Sequence, residues 1–467
     1  MKKALYVFFA LALVLGLAVS PVSAAAPVDY ESSIQVRNLS ADAGEITLVF
    51  YDLAGAPVGA PVVDSIAGNE TLSYYQGTMP VVDGFDGSVV VSSLLPIAAM
   101  SNLVGLNSTG GQISYAAYGG FSAGTTTVYL PTLFKDNWGY NTFYYVQNTG
   151  GVATDVAITY SDGTTNSITG LLPGQSAVVK QADETHTPKV FSATLVAASA
   201  DIAVTVVEEG NTLFAYDGFG TGATMPLFPL VNENNYGYFT GIQIQNTGAT
   251  DTIVTVDYTP SLAGTACFET RTVPAGSSAT FAQFVFYAAQ TETDPNFATD
   301  CTMGETFVGS GAVSGNTESI DLVAVINQLE PASNKGGAYG GFDGANGQAS
   351  IIYPLIMDRN YGYFTSWSIV NVGSTAIAIG ELDCNVTGTD GLGNPVNTTI
   401  SNDAEIAING SWTLNHANLI ANGFVGGATC VGPAGAMLVG TSNQLGVGSL
   451  WTGKDTLLVS EGFVVAP

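Results

Sequence analysis

The stretch PLIMDRNYGYFTSWSIVN, Pro354–Asn371, recurs in the same frame twice earlier, as PLVNENNYGYFTGIQIQN (Pro229–Asn246) and PTLFKDNWGYNTFYYVQN (Pro131–Asn148). The three copies align without a gap. Each has Pro, then Asn six places on, then aromatic–Gly–Tyr–x–Thr, then an alternating stretch ending in Asn. A fixed frame that returns at a long interval marks an internal repeat.

Working outward, the closing Asn opens a small turn: Asn148-Thr149-Gly150, Asn246-Thr247-Gly248 and Asn371-Val372-Gly373, with a weaker first version in Asn38-Leu39-Ser40. Alternating runs follow, such as Val156–Tyr160 and Ile253–Val256. Next comes a Gly-centred turn: Pro173-Gly174-Gln175, Ala275-Gly276-Ser277, Asn409-Gly410-Ser411, and Gly68-Asn69 in the first copy. Glycine there supplies a positive φ that side chains resist. Each copy closes on Gly-Phe, at Gly120-Phe121, Gly218-Phe219, Gly341-Phe342 and Gly462-Phe463, at intervals of 98, 123 and 121 residues. The chain thus divides into four units, 25–122, 123–220, 221–343 and 344–467, behind residues 1–24.

Period-two alternation with frequent turns, and no long 3.6-residue apolar period beyond residue 24, predicts an all-β chain of four tandem antiparallel β-sandwich domains. Short junctions predict a stiff rod of roughly 150 Å, from strands of about ten residues at about 3.3 Å each. The lead-in motif is absent from the first unit, so it is read as the joint between sandwiches. Trp138, Tyr140, Tyr236, Tyr238, Tyr361 and Tyr363 are then expected at inter-domain packing or, on a second reading, in stacking contact with glycans.

Residues 1–24 read as a secretory signal peptide: Lys2 and Lys3, the apolar run Ala4–Val19, and the small-x-small site Val22-Ser23-Ala24. That run is short for a bilayer span of about 20 residues. No second apolar span follows, so no transmembrane span is expected after cleavage, and the chain is expected to be secreted, extracellular or at the cell surface. Ten Lys plus Arg stand against 38 Asp plus Glu, a formal charge of −28, or −30 without Lys2 and Lys3. Such a surface repels phosphate backbones and argues against nucleic-acid binding. The four cysteines of an exported chain predict disulfides. Pairing within units gives Cys267–Cys301 and Cys384–Cys430, each contributing about 2–4 kcal/mol by restricting the unfolded chain.

The run Val146–Gly150, Val156–Tyr160, Asp162-Gly163, Leu172–Ser176 resembles the front half of CARDB-like and related immunoglobulin-like repeats of bacterial secreted and cell-surface proteins. The resemblance covers about 30 residues per unit. It implies an immunoglobulin-like sandwich and a life outside the cell, and it carries no catalytic residues.

Chemistry-bearing motifs are scarce. His186 and His416 lie far apart, and no GxSxG, HExxH, P-loop or helix-opening GxGxxG is present. No catalytic, cofactor-binding or metal residue is therefore assigned. Calcium would suit the acidic loops Asp83–Gly87, Asp162-Gly163 and Asp390-Gly391 through its preference for oxygen ligands, although Asp-Gly is first a turn pair. Asn38, Asn69, Asn107, Asn385, Asn397 and Asn409 stand in Asn-x-Ser/Thr sequons. The expectation is a non-catalytic extracellular structural or adhesive protein of the cell surface. Its expected partners are itself (in a filament, sheath or layer), other surface proteins, or glycans. A carbohydrate-binding array is the alternative, and a secreted hydrolase is the third reading.

Overall fold

The computed structural model of the chain describes residues 27–75, 79–82, 84–286 and 293–465, so the predicted signal lies outside the described residues. The chain is all-β with antiparallel sheets, and Cys267–Cys301 and Cys384–Cys430 are bonded. No helix among the described residues is long and apolar enough to cross a membrane.

The second repeat shows the plan. One sheet holds Ser176–Lys180, Asn141–Asn148, Ile202–Glu209 and Leu213–Asp217 side by side. The other holds Thr165–Leu171, Thr154–Tyr160, Val190–Ala197 and Thr127–Phe134. Alternation buries one face of each: Val146, Val204 and Tyr216 meet Val128, Ile158 and Leu195 in a common core. The same order recurs in the third and fourth repeats. In the fourth, the lead strand Ser350–Asn360 pairs with both Tyr363–Asn371 and Phe424–Val431, which fuses the two layers into one nine-stranded sheet. In the first repeat the second sheet has only three strands, Pro57–Ile66, Gly44–Asp52 and Gly87–Ser93.

Each shared residue of the lead-in motif has a structural task. Pro131, Pro229 and Pro354 fall where the ladder slips register, beside Leu130, Phe228 and Tyr353. A bulge is where a strand tolerates a residue without an N–H. The Thr hydroxyls accept from the end of the preceding strand: Thr142 from Phe134 N (2.7 Å), Thr240 from Asn232 N (2.9 Å), Thr365 from Met357 N (2.8 Å). The closing Asn is a staple. Asn148 Nδ2 donates to the carbonyls of Val152 and Leu171, both at 2.8 Å, while its Oδ1 accepts from Gly150 N at 2.9 Å. Asn38, Asn246 and Asn371 repeat that geometry, and all four are fully buried. Asn69 and Asn409 adopt φ 58°, beside Gly174 at 74° and Gly276 at 62°, so the predicted Gly-centred turn is one conformation in all four repeats. Asn148→Ala strands two carbonyls and one N–H in the interior. We expect a loss of about 2–4 kcal/mol in urea unfolding, and a loss under about 1 kcal/mol would show the staple to be dispensable.

The rod expectation is corrected. The last strands of the four repeats, Gln112–Gly119, Leu213–Asp217, Lys335–Gly340 and Leu457–Glu461, pack beside one another in a closed circuit. Every seam of the circuit carries bonds. Gln147 Nε2 meets Ser88 Oγ at 2.6 Å, Asn327 Nδ2 meets Glu208 at 2.7 Å, Asn443 Nδ2 meets Gln328 Oε1 at 2.9 Å, and Thr71 Oγ1 meets Pro354 O at 3.0 Å. The first repeat therefore touches the fourth, which a rod forbids. Small side chains make the approach possible, since Ala117, Ala215 and Ala338 occupy matching places in the closing strands. The lead-in motif is likewise no joint. It is a hairpin inside one repeat that carries the chain from one sheet to the other.

Candidate functional site

The tips of these hairpins share one geometry. Asn137 and Tyr140 exchange both backbone bonds, at 3.0 and 2.9 Å, around Trp138-Gly139, whose φ angles are 54° and 90°. Tyr236-Gly237 (49°, 87°) and Tyr361-Gly362 (49°, 84°) repeat it. Two successive positive φ angles define the two-residue turn that matches the twist of a hairpin, and Asn, Asp or Gly is the usual first residue. A left-handed aromatic there costs about 1–2 kcal/mol. Yet Trp138, Tyr236 and Tyr361 are 91%, 95% and 80% exposed, so burial does not offset that strain. These three rings do not serve inter-domain packing.

Their partners two places on behave differently. Tyr140 Oη bonds Thr212 Oγ1 at 2.7 Å beside Phe134 and Phe214, and burial pushes its hydroxyl up to about 12. Tyr238 is half-buried at the edge of the third core. Tyr363 is buried between Trp451 and Tyr115 of the first repeat, the one member of the six shown packing across a seam. The turn itself was legible in principle, because x-Gly between two alternating runs is a hairpin signal. A residue repeated in every copy reads more readily as core, which hid the exposure of the first ring.

The tyrosines that follow the three tips, Tyr140, Tyr238 and Tyr363, all lie near enough to one buried carboxylate, Asp455, to feel its charge. Trp451 Nε1 donates to Tyr361 O at 2.8 Å, and Glu330 packs against Gly237. The turns that hold Thr212, Lys335 and Trp451 converge on Asp455. Its Oδ2 accepts from Leu213 N at 2.9 Å, its Oδ1 accepts from Gly336 N at 2.9 Å, and its own N–H donates to Ile113 O at 2.9 Å. Asp455 thus joins the fourth repeat to the second, third and first. Burial pushes its carboxyl well up, against the pull of those backbone donors and of Lys335, whose own ammonium burial pushes down. Nothing in the sequence distinguishes Asp455 from a solvated acid.

The two histidines are engaged locally. His186 Nδ1 lies 3.0 Å from Asp162 and its Nε2 3.4 Å from Glu184, with the ring stacked on Phe191 and its side chain 1% exposed. His416 is fully buried against Trp367, and burial pushes its pKa down to about 4. In the Asp-Gly loops, Asp162 Oδ1 accepts from Thr164 N, and Asp390 Oδ1 accepts from Leu392 N and Asn394 N, so these carboxylates fold their own turns. Asp83, in the remaining loop, lies outside the described residues. No protein-family model and no curated protein matches this chain.

Proposed function

We propose that this chain is a non-catalytic extracellular structural or adhesive protein of the cell surface, made of four immunoglobulin-like β-sandwich domains bounded near residues 25–122, 123–220, 221–343 and 344–467. The observation that carries this reading is the set of three hairpin tips. Each holds an aromatic ring in solvent on a left-handed backbone, at a local expense in stability, around one end of the closed circuit. Strain retained without burial points to binding. The two disulfides are compatible with an oxidising location. Carbohydrate binding is the second reading, favoured by the flat exposed rings of Trp138 and Tyr236.

The test is a triple variant, Trp138→Asn, Tyr236→Asn and Tyr361→Asn. Asn suits the left-handed position, so the variant should fold and gain up to about 1–2 kcal/mol at each tip. Attachment of the purified protein to the native cell surface should fall at least tenfold. Unchanged attachment would refute the adhesive assignment of the tips. A glycan array probed with both proteins separates sugar from protein targets.

A further inference from the structure

In repeats two, three and four, a lead strand lies between its own repeat and the next one. Thr127–Phe134 pairs with Val190–Ala197 and packs on the sheet face of Phe239–Asn246. Pro226–Glu233 pairs with Phe307–Asn316 and packs on Tyr363–Asn371. Ser350–Asn360 pairs with Phe424–Val431 and packs on Asp29–Asn38. Three of the four seams are therefore filled by a strand.

The seam between the first and second repeats differs. The strand Gly87–Ser93, equivalent to Val190–Ala197, has one hydrogen-bonded neighbour, Gly44–Asp52, and its other edge is unpaired among the described residues. None of its seven residues is buried, whereas Phe191, Ser192, Ala193, Leu195 and Ala197 are buried in its counterpart. The facing sheet is only partly covered: Phe143 meets the Tyr30 ring, Tyr145 Oη donates to Asp86 Oδ1 at 3.0 Å, and Gln147 Nε2 donates to Ser88 Oγ at 2.6 Å. Phe143, Tyr145 and Gln147 are half-buried, although the residues matching the last two are 7% and 0% exposed in the third repeat (Gln243, Gln245) and 1% and 0% in the fourth (Ser368, Val370). The first core shows the same deficit, with seven buried residues and ten only partly buried around them.

We propose that this seam is a docking slot for an extended strand donated by another polypeptide, which pairs antiparallel with Gly87–Ser93 and lays its other face on Phe143 and Tyr145. The three filled seams show the chemistry of the occupant: TVYLPTLF (127–134), PLFPLVNE (226–233) and SIIYPLIM (350–357), aliphatic or aromatic at core-facing places with Pro at the bulge. An unpaired edge supplies the backbone bonds, and the half-open core supplies pockets for alternate side chains. The chain's own counterpart is a poor match. Counting back 110 residues from Thr127–Phe134 gives residues 17–24, outside the described residues and inside the predicted signal, with Pro21 in register. That register would set Ala18, Ser20 and Ser23 where Val128, Leu130 and Leu133 fill the core. Cleavage after Ala24 would remove the stretch altogether.

The test uses residues 25–467 with a synthetic peptide of sequence TVYLPTLF as probe. We expect saturable binding by fluorescence anisotropy and at least tenfold slower amide exchange in Val89–Val91. A peptide with the substitutions Leu130→Asp and Leu133→Asp should neither bind nor protect. Three results would overturn the proposal: no binding, equal binding by the Asp peptide, or protection that spares Gly87–Ser93. Protection that rises with protein concentration without peptide would assign the slot to a second copy instead. Equal protection in a chain that retains residues 1–24 would assign it to the chain itself. Either of these also refutes a foreign strand.

Discussion

Asp455→Ala is expected to lower the unfolding free energy by about 2–6 kcal/mol, because it leaves the buried N–H groups of Leu213 and Gly336 without an acceptor at about 1–3 kcal/mol each. The loss should have a second signature. Asp455 bonds to the three other repeats, which also share apolar packing, with Val325 and Ala338 in the second core and Leu457 and Val459 in the third, so the variant should unfold less cooperatively than the parent. Asp455→Asn retains one oxygen and turns an amide donor toward the other N–H, so it should rescue less than half of the loss. Urea titration followed by tryptophan fluorescence and far-UV circular dichroism reads both effects. A change under about 1 kcal/mol with coincident transitions would mean that the closing strands hold the circuit without the carboxylate.

The second large effect is on pH. Glu208 is fully buried at the seam between the second and third repeats, where its Oε2 accepts from Asn327 Nδ2 at 2.7 Å. Burial pushes its pKa up from 4.5 to about 8. The folded chain therefore keeps a proton that the unfolded chain has released. Stability is complete below about pH 4.5 and falls as pH rises through about 8. For this one residue the loss is on the order of 5 kcal/mol. Glu208→Gln keeps an acceptor for Asn327 and no longer titrates, so its unfolding free energy should vary less between pH 6 and pH 9, by the same order, and exceed the parent's at pH 9. Equal slopes in the two proteins would refute the buried-acid account. On the acid side His416 acts with the opposite sign. Burial lowers its pKa from 6.5 to about 4, so its contribution is present above about pH 6.5 and is lost as pH falls through about 4.

Local structure was largely legible in the sequence, and the long-range arrangement was not. The alternating runs, the Gly-centred turns and the closing Gly-Phe pairs follow from backbone requirements that act within a few residues. Gly120, Gly218, Gly341 and Gly462 all donate to the adjacent strand in the same way, as a repeat requires. The cysteine pairs were within reach because each lies inside one repeat. Closure of the circuit has no such signature. It depends on Ala117, Ala215 and Ala338, which are unremarkable in any β-rich chain, and on one aspartate among 38 acids. The aromatic tips were visible as a motif, but the sequence left two environments open for them, inter-domain packing and exposed contact with glycans. Recurrence records a shared backbone solution, and it does not say which side of that backbone meets solvent.

Burial of the staple at Asn38 bears on the sequon Asn38-Leu39-Ser40. Its Nδ2, the atom a sugar would occupy, donates to Asp42 O and Ala67 O at 2.7 and 3.0 Å. A glycan at Asn38 and a folded first repeat exclude each other, whereas Asn69, Asn385 and Asn397 are exposed and compatible with modification.

The place of Asp455 in the chain sets an order of assembly. Ile113, Leu213 and Gly336, the groups it joins, are all synthesised before it. During synthesis the closing strands of the first three repeats can pack on one another, and the arrival of the fourth completes the circuit. A chain that ends before residue 455 leaves the circuit open between the first and third repeats, so the last repeat serves as a completeness check on the other three.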